Sequence, residues 1–310
     1  MLKVSFIYPG QGSQYVGMMR DWYETFPEAA QMVDRANEIL GFDLKKVCFE
    51  GPEDELKQTY ITQPAIFVHS CIVTQFLAER HLFPESVAGH SLGEYSALVA
   101  AGVLDFENAL RLVKIRGEAM QNAGEQNPGT MAAIIGLQAP VVQEICAEVR
   151  KTDLVQPANF NSPEQIVISG SPKGVERAME LAQGRGARRV LQLVVGGAFH
   201  SPLMESAIEK LKAALAETSF ADARIPVYPN VTAKAEVRAS ELKHLLEMQL
   251  LQPVRWVEIV QNMIQDGTDV FYEVGPGKVL SGLVRRIQKD RRPTPVGTVA
   301  ELEKAVSPQT

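Results

Sequence analysis

The chain has 310 residues, of which 45% are hydrophobic and 22% are charged, and its formal net charge is −6. This length and composition indicate a globular protein with two domains, or one large domain that carries an insertion. The acidic balance argues against a general nucleic-acid binder, which would present a basic face.

The cysteines and histidines exclude two further kinds of site. Three scattered cysteines without a CxxC pair argue against a disulfide framework. The five histidines are not spaced as metal ligands are, so the sequence predicts no metal site. The N-terminal apolar run is too short for a signal peptide, and we expect no apolar run of membrane-spanning length. We therefore expect a cytoplasmic protein that does not contact a membrane.

The chain begins with a predicted strand and a glycine-rich loop. Residues 4–8 alternate and are rich in β-formers, and glycines then stand on both sides of Gln11. Such a loop can bring its backbone close to a ligand. Taken by itself, however, this short pattern favours an ordinary turn into the next helix. Residues 23–82 are predicted to be helical, and His69 is predicted to be a core histidine within a buried helix that opens at residues 62–64.

The segment 87–95 reads VAGHSLGEY and contains the pattern G-x-S-x-G between an apolar run and a helical pattern. Gly89 and Gly93 lack Cβ atoms, so strand and helix can approach closely around an exposed Ser91. This arrangement is typical of a nucleophile elbow. The alternative is a capping box formed by Ser91 and Glu94 at an ordinary helix start.

The next predicted helix is capped by Asp105 and carries Arg116 beside its apolar stripe. By position alone, a structural ion pair or a snorkelling side chain is favoured for Arg116. The alternative is a guanidinium fork for a substrate carboxylate. The polar residues 121–129 predict a linker.

After this linker the pattern changes to β-α-β-β-α-β, which is typical of a ferredoxin-like unit. Its predicted elements are a strand at 131–137, a helix at 139–150, strands at 154–160 and 165–169, a helix at 172–183 and a strand at 188–194. We expect residues 125–196 to form a small inserted subdomain. Residues 1–124 and 197–310 would form the catalytic subdomain.

His200 follows two glycines and precedes a predicted helix start at Ser201 and Pro202. It is either a surface residue or a general base at the mouth of a site. Further predicted elements are a strand at 225–230, a helix at 239–251, a strand at 270–274 and a helix at 279–288. No element is predicted in the tail after Pro293.

Several short motifs occur in a characteristic order along nearly the whole chain. They are GQGSQ at 10–14, GHSLGEYSALVAAG at 89–102, RG at 116–117, MQ at 120–121, ANFN at 158–161, AFHS at 198–201, and Gln249 ahead of PVRW at 253–256. Together they resemble the malonyl-CoA:acyl carrier protein transacylases of bacterial fatty acid synthesis. The discrete acyltransferases of polyketide assembly lines are very similar.

The resemblance implies an α/β fold, in which an α/β-hydrolase-like large subdomain with a parallel sheet carries a ferredoxin-like small one. It implies that Ser91 is the acylated nucleophile and that His200 accepts its proton and later activates the incoming thiol. The backbone N–H groups of Gln11 and Leu92 would form the oxyanion hole.

The resemblance also implies roles around these groups. Arg116 would bind the malonyl carboxylate, and Gln249 would orient His200 through its main-chain carbonyl. We see no acidic residue for a triad, so we expect a dyad.

Three further residues would bind substrate by the same resemblance. His90 and Phe199 match the malonyl-selecting form of their motifs, and Asn159 lies in the ANFN motif.

The implied substrates are malonyl-CoA and a phosphopantetheinylated acyl carrier protein, with no bound cofactor, and we expect a monomer. The acidic carrier protein would dock on basic residues, either on the small subdomain or on the last long helix. These candidates are Arg185, Arg188, Arg189, Arg285, Arg286 and Lys289. Solvated surface charge is the alternative for each. A serine thioesterase or hydrolase and a non-catalytic carrier-protein binding module are the rival functions.

Overall fold

The computed structural model describes residues 2–307. The strands are β1 (Val4–Tyr8), β2 (Ser86–Gly89), β3 (Thr130–Ile135), β4 (Val155–Ser162), β5 (Gln165–Gly170), β6 (Arg189–Gln192), β7 (Val227–Tyr228), β8 (Val270–Val274) and β9 (Thr294–Val296). The helices of the first half are α1 (Arg20–Thr25), α2 (Pro27–Leu40), α3 (Leu44–Glu50), α4 (Glu53–Leu56), α5 (Thr59–Glu79), α6 (Gly93–Ala100) and α7 (Phe106–Gln126). Those of the second half are α8 (Ala139–Val149), α9 (Pro172–Gly184), α10 (Glu205–Glu217), α11 (Ala239–Gln249), α12 (Trp256–Gln265), α13 (Val279–Ile287) and α14 (Val299–Val306).

The larger sheet is parallel throughout and has the strand order β7-β2-β1-β8-β9. Both of its faces are covered, because successive side chains of β1 enter different apolar clusters. Phe6 and Tyr8 pack into the cluster that includes α5 and α7, whereas Ile7 packs into the cluster around Trp256. Burial on both faces explains why β1 and β2 are mostly apolar and why the alternation expected for residues 4–8 is incomplete.

The smaller sheet has the order β4-β5-β3-β6 and is antiparallel. Helices α8 and α9 pack together against it and enclose a separate apolar core. The predicted β-α-β-β-α-β order and the predicted α/β fold class are confirmed. The exact subdomain boundaries at residues 125 and 196 stay predictions.

Helix α5 corrects one expectation from the sequence. Its 21 residues are long and apolar enough to cross a membrane by length and composition, although no such run was expected. The helix lies in the protein core instead, where 83% of its apolar window is buried. His69 on this helix is fully buried and contacts the carbonyl oxygen of Gly297 at 2.6 Å, so its prediction as a core histidine is confirmed.

The linker predicted at 121–129 is wrong over most of its length, because α7 continues to Gln126. Its polar residues face solvent, while Ala123 and Gly124 are buried on the inner face of the helix. A Cβ on Gly124 would lie 2.1 Å from the carbonyl oxygen of Gly196, so the glycine allows a close crossing there. Residues 121–126 are polar where α7 faces solvent and small where α7 packs closely against the loop at Gly196, so their composition does not indicate a turn.

The tail is ordered into elements that the sequence analysis missed. Strand β9 pairs with β8 at the edge of the larger sheet, and α14 follows with a capping box between Thr298 and Glu301. Leu302 of α14 is fully buried. In contrast, the strand predicted at 225–230 shortens to the two residues of β7.

Candidate active site

The turn between β2 and α6 is as sharp as the G-x-S-x-G pattern predicts. Ser91 adopts a left-handed conformation with φ of 51°. A Cβ on Gly89 would lie 1.9 Å from the carbonyl carbon of Gly93, and one on Gly93 would lie 2.1 Å from the carbonyl oxygen of Tyr8. Only glycine fits at both places, and the turn presents Ser91 at the carboxyl edge of the parallel sheet.

The alternative prediction of a capping box is wrong. Helix α6 has Leu92 at its N-cap position, and no side chain caps it. The Ser91 Oγ instead contacts His200, and the Glu94 carboxylate accepts hydrogen bonds from two other residues. Both side chains of the supposed box therefore belong to the site.

His200 reaches Ser91 from the loop that leads to α10. Its Nε2 lies 2.8 Å from the Ser91 Oγ, and its Nδ1 lies 2.9 Å from the carbonyl oxygen of Gln249 and 3.1 Å from that of Gln252. A carbonyl oxygen only accepts hydrogen bonds, so the proton belongs on Nδ1 and the lone pair on Nε2. The imidazole is thus oriented to accept a proton from the serine hydroxyl.

The electrostatic environment keeps His200 neutral. Burial and the nearby Arg116 cation lower the pKa of His200 to about 3, against a smaller opposing effect of its carbonyl partners. An imidazole with so low a pKa carries no proton on Nε2 at neutral pH and is available as a base.

Arg116 is buried on α7, with 1% of its surface exposed, so a snorkelling position is excluded. Its Nη2 donates to the Ser91 Oγ at 3.0 Å and to the Gln249 Oε1 at 3.0 Å, and its Nη1 donates to the Gln63 Oε1 at 2.6 Å. A guanidinium only donates, so the Ser91 oxygen accepts from Arg116 and directs its own proton to His200. His200 and Arg116 therefore both contact the Ser91 Oγ, as their predicted roles require.

Gln249 contacts the site through both its backbone and its side chain. The predicted main-chain contact with His200 is present, and the side-chain Nε2 also donates to the Ser91 carbonyl at 3.0 Å and to the Glu94 carboxylate at 2.8 Å. Within residues 2–307, both hydrogen-bond partners of the His200 Nδ1 are carbonyl oxygens and neither is a carboxylate. The geometry is that of a dyad.

Asn230 is a site residue that the sequence analysis missed. Its Oδ1 accepts from the Ser91 backbone N–H at 2.7 Å, and its Nδ2 donates to the Gly89 carbonyl at 2.6 Å. Asn230 stands just beyond β7, a parallel strand next to β2. Polar residues at the carboxyl ends of neighbouring parallel strands meet at one edge, and this signal could have identified it.

A cavity of about 120 Å³ opens above Ser91. Its lining includes all the predicted substrate and oxyanion residues, namely Gln11, His90, Leu92, Arg116, Asn159 and Phe199. Within residues 2–307, the backbone N–H groups of Gln11 and Leu92 donate to no protein acceptor. These two N–H groups therefore have capacity for a ligand oxygen.

The predicted selectivity residues differ in their contacts. The His90 Nε2 lies 2.8 Å from the Asn161 Oδ1, and the centroid of the His90 ring lies 5.6 Å from the centroid of the Trp256 ring. Phe199 is 6% exposed and limits the cavity beside His200. Among residues 2–307, no three His, Cys, Asp or Glu side chains are grouped to hold a metal ion.

A second cavity, of about 800 Å³, joins the two predicted groups of basic residues. Arg188, just before β6, and Arg189, its first residue, line it together with Arg285, Arg286 and Lys289 from the region of α13. Arg185 does not line this cavity and pairs with Glu144 and Glu148. Arg188 does line it and pairs with Glu164, the one acid among the described lining residues, at 3.6 Å.

Comparison with known proteins agrees with this geometry. A family model for the acyl transferase domain matches residues 5–306. The malonyl CoA-acyl carrier protein transacylase of Bacillus subtilis (strain 168) is 44% identical over 307 residues, covering 99% of this chain and 97% of the relative. The corresponding protein of Escherichia coli (strain K12) is 43% identical over 288 residues, covering 93% of each chain.

Solved structures are equally similar. An acyl carrier protein S-malonyltransferase from Vibrio cholerae has a TM-score of 0.94 at 43% identity, covering 98% of this chain and 99% of that one. A malonyl-transacylase in complex with its type II PKS acyl-carrier protein has a TM-score of 0.95 at 41% identity, with the same coverage. The chain therefore belongs to the acyl transferase family, among the malonyl CoA-acyl carrier protein transacylases.

Proposed function

We propose that the protein transfers the malonyl group of malonyl-CoA to the phosphopantetheine thiol of an acyl carrier protein, through an ester on Ser91. The observation that carries this proposal is the convergence of a base and a buried cation on one hydroxyl. The Ser91 Oγ lies 2.8 Å from the His200 Nε2 and 3.0 Å from the Arg116 Nη2.

In the first half-reaction, Ser91 attacks the thioester carbonyl while His200 accepts the hydroxyl proton. The N–H groups of Gln11 and Leu92 stabilise the resulting oxyanion, and Leu92 adds the positive end of α6. The C–S bond then breaks, and His200 returns the proton to the coenzyme A sulfur. The product is malonyl-Ser91.

In the second half-reaction, His200 accepts the proton of the phosphopantetheine thiol, and the thiolate attacks the ester carbonyl. The bond to the Ser91 oxygen breaks as the proton returns to that oxygen. This alternation gives ping-pong kinetics.

In this scheme, Arg116 makes the enzyme select acyl groups that end in a carboxylate. Its guanidinium already reaches the Ser91 hydroxyl, so an acyl group on that oxygen lies within its range. A carboxylate matches a guanidinium fork through two parallel hydrogen bonds. Phe199, His90 and Asn159 bound the remaining space and favour a small, unbranched group.

The basic cavity beside the smaller sheet is the proposed docking surface for the carrier protein. Arg188, Arg189, Arg285 and Arg286 concentrate positive charge there on a protein whose net charge is −6. Local charge of this kind steers an acidic partner and raises its association rate. We assign the carrier protein to fatty acid synthesis, and a polyketide carrier protein is the second candidate, because one solved neighbour is bound to a type II PKS carrier protein. The cytoplasmic location and the monomeric state stay predictions.

Intact mass spectrometry after mixing with malonyl-CoA tests the reaction. We expect one malonyl adduct per chain, absent in Ser91→Ala, which carrier protein then removes. Continuous release of malonate without an acceptor would establish a hydrolase instead, and no adduct at all would support a non-catalytic binding module.

Two variants test the specificity and docking assignments. Arg116→Ala should slow malonyl transfer and improve acetyl transfer relative to it. The double variant Arg189→Glu/Arg286→Glu should slow transfer to carrier protein, spare transfer to free pantetheine, and lose its effect in high salt. Arg185→Glu is the control for a single charge reversal on the small subdomain outside the cavity, and it should leave transfer to carrier protein unchanged. Equal slowing with both acceptors would refute the docking surface.

A further inference from the structure

Glu94 is a buried acid that the transfer mechanism leaves without a role. It lies three residues after Ser91 in the first turn of α6, and only 1% of its surface is exposed. A carboxylate at that depth must be compensated by hydrogen bonds or charge. Its Oε2 accepts the backbone N–H of Asn230 at 2.9 Å and the Nε2 of Gln249 at 2.8 Å.

The two partners of Glu94 are the two residues that hold the reacting groups. Asn230 binds the backbone on both sides of the elbow, through the N–H of Ser91 and the carbonyl of Gly89. Gln249 binds Arg116 through its Oε1 and the Ser91 carbonyl through its Nε2. Its own carbonyl oxygen accepts from His200.

The chemistry of these groups allows one orientation of the Gln249 amide. A carboxylate only accepts, so the amide NH₂ must face Glu94. A guanidinium only donates, so the amide oxygen must face Arg116. Both neighbours therefore require the same amide orientation, and it places the Arg116 Nη2 against Ser91.

Glu94 also compensates the charge of Arg116. Among residues 2–307, Arg116 forms no ion pair within 4.0 Å, although it is buried. The Glu94 carboxylate reaches it through one amide group. The titratable and charged groups facing Glu94 are Arg116 of α7, the adjacent Tyr95, and His200 beyond Gln249.

We propose that Glu94 is a positioning residue for the transfer reaction, whose negative charge holds Gln249 and, through it, aligns Arg116 and His200 at Ser91. A triad acid orients the catalytic histidine by direct contact. Glu94 contributes to the orientation of His200 indirectly, because it binds the side chain of Gln249, whose carbonyl oxygen accepts from His200. This inference rests on the proposed function, because it concerns the same acyl transfer.

The variant Glu94→Gln tests the charge alone. Both hydrogen bonds end on the same carboxylate oxygen, so one amide oxygen can accept both while the charge is lost. Because charge-assisted hydrogen bonds are about twice as strong as neutral ones, we expect single-turnover formation of malonyl-Ser91 to slow about tenfold. Glu94→Asp, which restores the charge on a shorter side chain, should recover part of the rate.

Glu273→Gln is the matched control. Glu273 is also fully buried, and its carboxylate accepts the N–H groups of Leu280 and Ser281 at the start of α13. A change of stability from neutralising a buried carboxylate should appear in both variants, whereas the loss of acylation rate should appear only in Glu94→Gln. Thermal unfolding of both variants separates the two effects.

The pH profile is a readout that a merely structural role would not move. Burial raises the pKa of Glu94 to about 7 against the opposing effects of Asn230, Gln249 and Arg116. The wild-type acylation rate should therefore rise with pH through about 7, as the carboxylate ionises, and this limb should be absent in Glu94→Gln. Malonyl-pantetheine is the probe, because it lacks the titrating phosphates of coenzyme A.

The outcomes separate this inference from the proposed function. If the wild type forms no malonyl-Ser91, the proposed function fails. If the wild type acylates and Glu94→Gln matches it in rate and pH profile, the role of Glu94 is refuted. Should Glu94→Gln not fold, Glu94→Asp decides the question, because a shortened carboxylate that leaves the acylation rate at the wild-type value refutes a positioning role.

Discussion

Truncation of Asn230 should show how much the nucleophile elbow depends on a residue outside its own motif. The Asn230 side chain bridges the N–H of Ser91 at 2.7 Å and the carbonyl of Gly89 at 2.6 Å. Ser91 holds φ at 51°, a conformation that non-glycine residues adopt only where the surroundings impose it. Asn230→Ala removes the bridge, so the buried Gly89 carbonyl and the half-buried Ser91 N–H both lose this partner.

The cost follows from those two groups. An unpaired buried polar group costs ~1–3 kcal/mol, and a half-buried one costs less because water can reach it, so the variant should lose ~1–4 kcal/mol of unfolding free energy. That is a large part of the ~5–15 kcal/mol that stabilises an ordinary domain. If the turn relaxes by ~1 Å at Ser91, the acylation rate should also fall by about a hundredfold.

Urea unfolding and single-turnover acylation with malonyl-CoA measure the two effects. Asn262→Ala is the control, because the Asn262 side chain donates one comparable bond to the Ala233 carbonyl at 2.7 Å. We expect this control to lose stability while its folded fraction acylates at the wild-type rate. If Asn230→Ala acylates Ser91 at the wild-type rate with unchanged stability, the turn supports its own strain and our reasoning is wrong.

Three further predictions concern stability and are measured by urea unfolding. Gly93→Ala should lose at least ~3 kcal/mol of unfolding free energy, because its Cβ would lie 2.1 Å from a carbonyl oxygen of β1. Gly184→Ala is the control and should lose none, because the space around Gly184 is open. Equal losses in the two variants would refute the close approach at Gly93. Burial lowers the pKa of His69 to about 4, so the unfolded chain takes up the proton first as pH falls below 6.5, and stability is lost on acidification. From pH 7 to pH 5 the wild type should lose ~2 kcal/mol more than His69→Gln, and identical slopes would contradict this. Deletion of residues 294–310 should prevent stable folding, because Gly297 accepts hydrogen bonds from two core side chains; a stable truncated chain would show that the tail is dispensable.

Local sequence patterns predicted most of the elements, because short-range sterics and hydrophobic period act within a few residues. Gly89 and Gly93 around Ser91 could be interpreted without a structure, since only a tight turn requires two such glycines so closely spaced. The same holds for the β-α-β-β-α-β order of the small sheet. The errors arose where the period was ambiguous, as at residues 121–126, where small and polar residues serve one helix that is buried on one face.

Roles in the site were less accessible to local patterns. Arg116 beside an apolar stripe favoured an ordinary ion pair, and only the fold places its Nη2 3.0 Å from Ser91. Asn230 and Glu94 lie 139 and 3 residues from Ser91 along the chain, yet both bind the same small network. Their partners follow from strand order and helix packing, which no local pattern specifies.

The sequence by itself determined the turn, the nucleophile at its tip and the kind of protein to which the ordered motifs belong. The tertiary structure decided which distant donors and acceptors face one another. The physical reason is that hydrogen bonding and charge compensation in a buried site depend on separations of about 3 Å, and such separations exist only after the two sheets and their helices have packed.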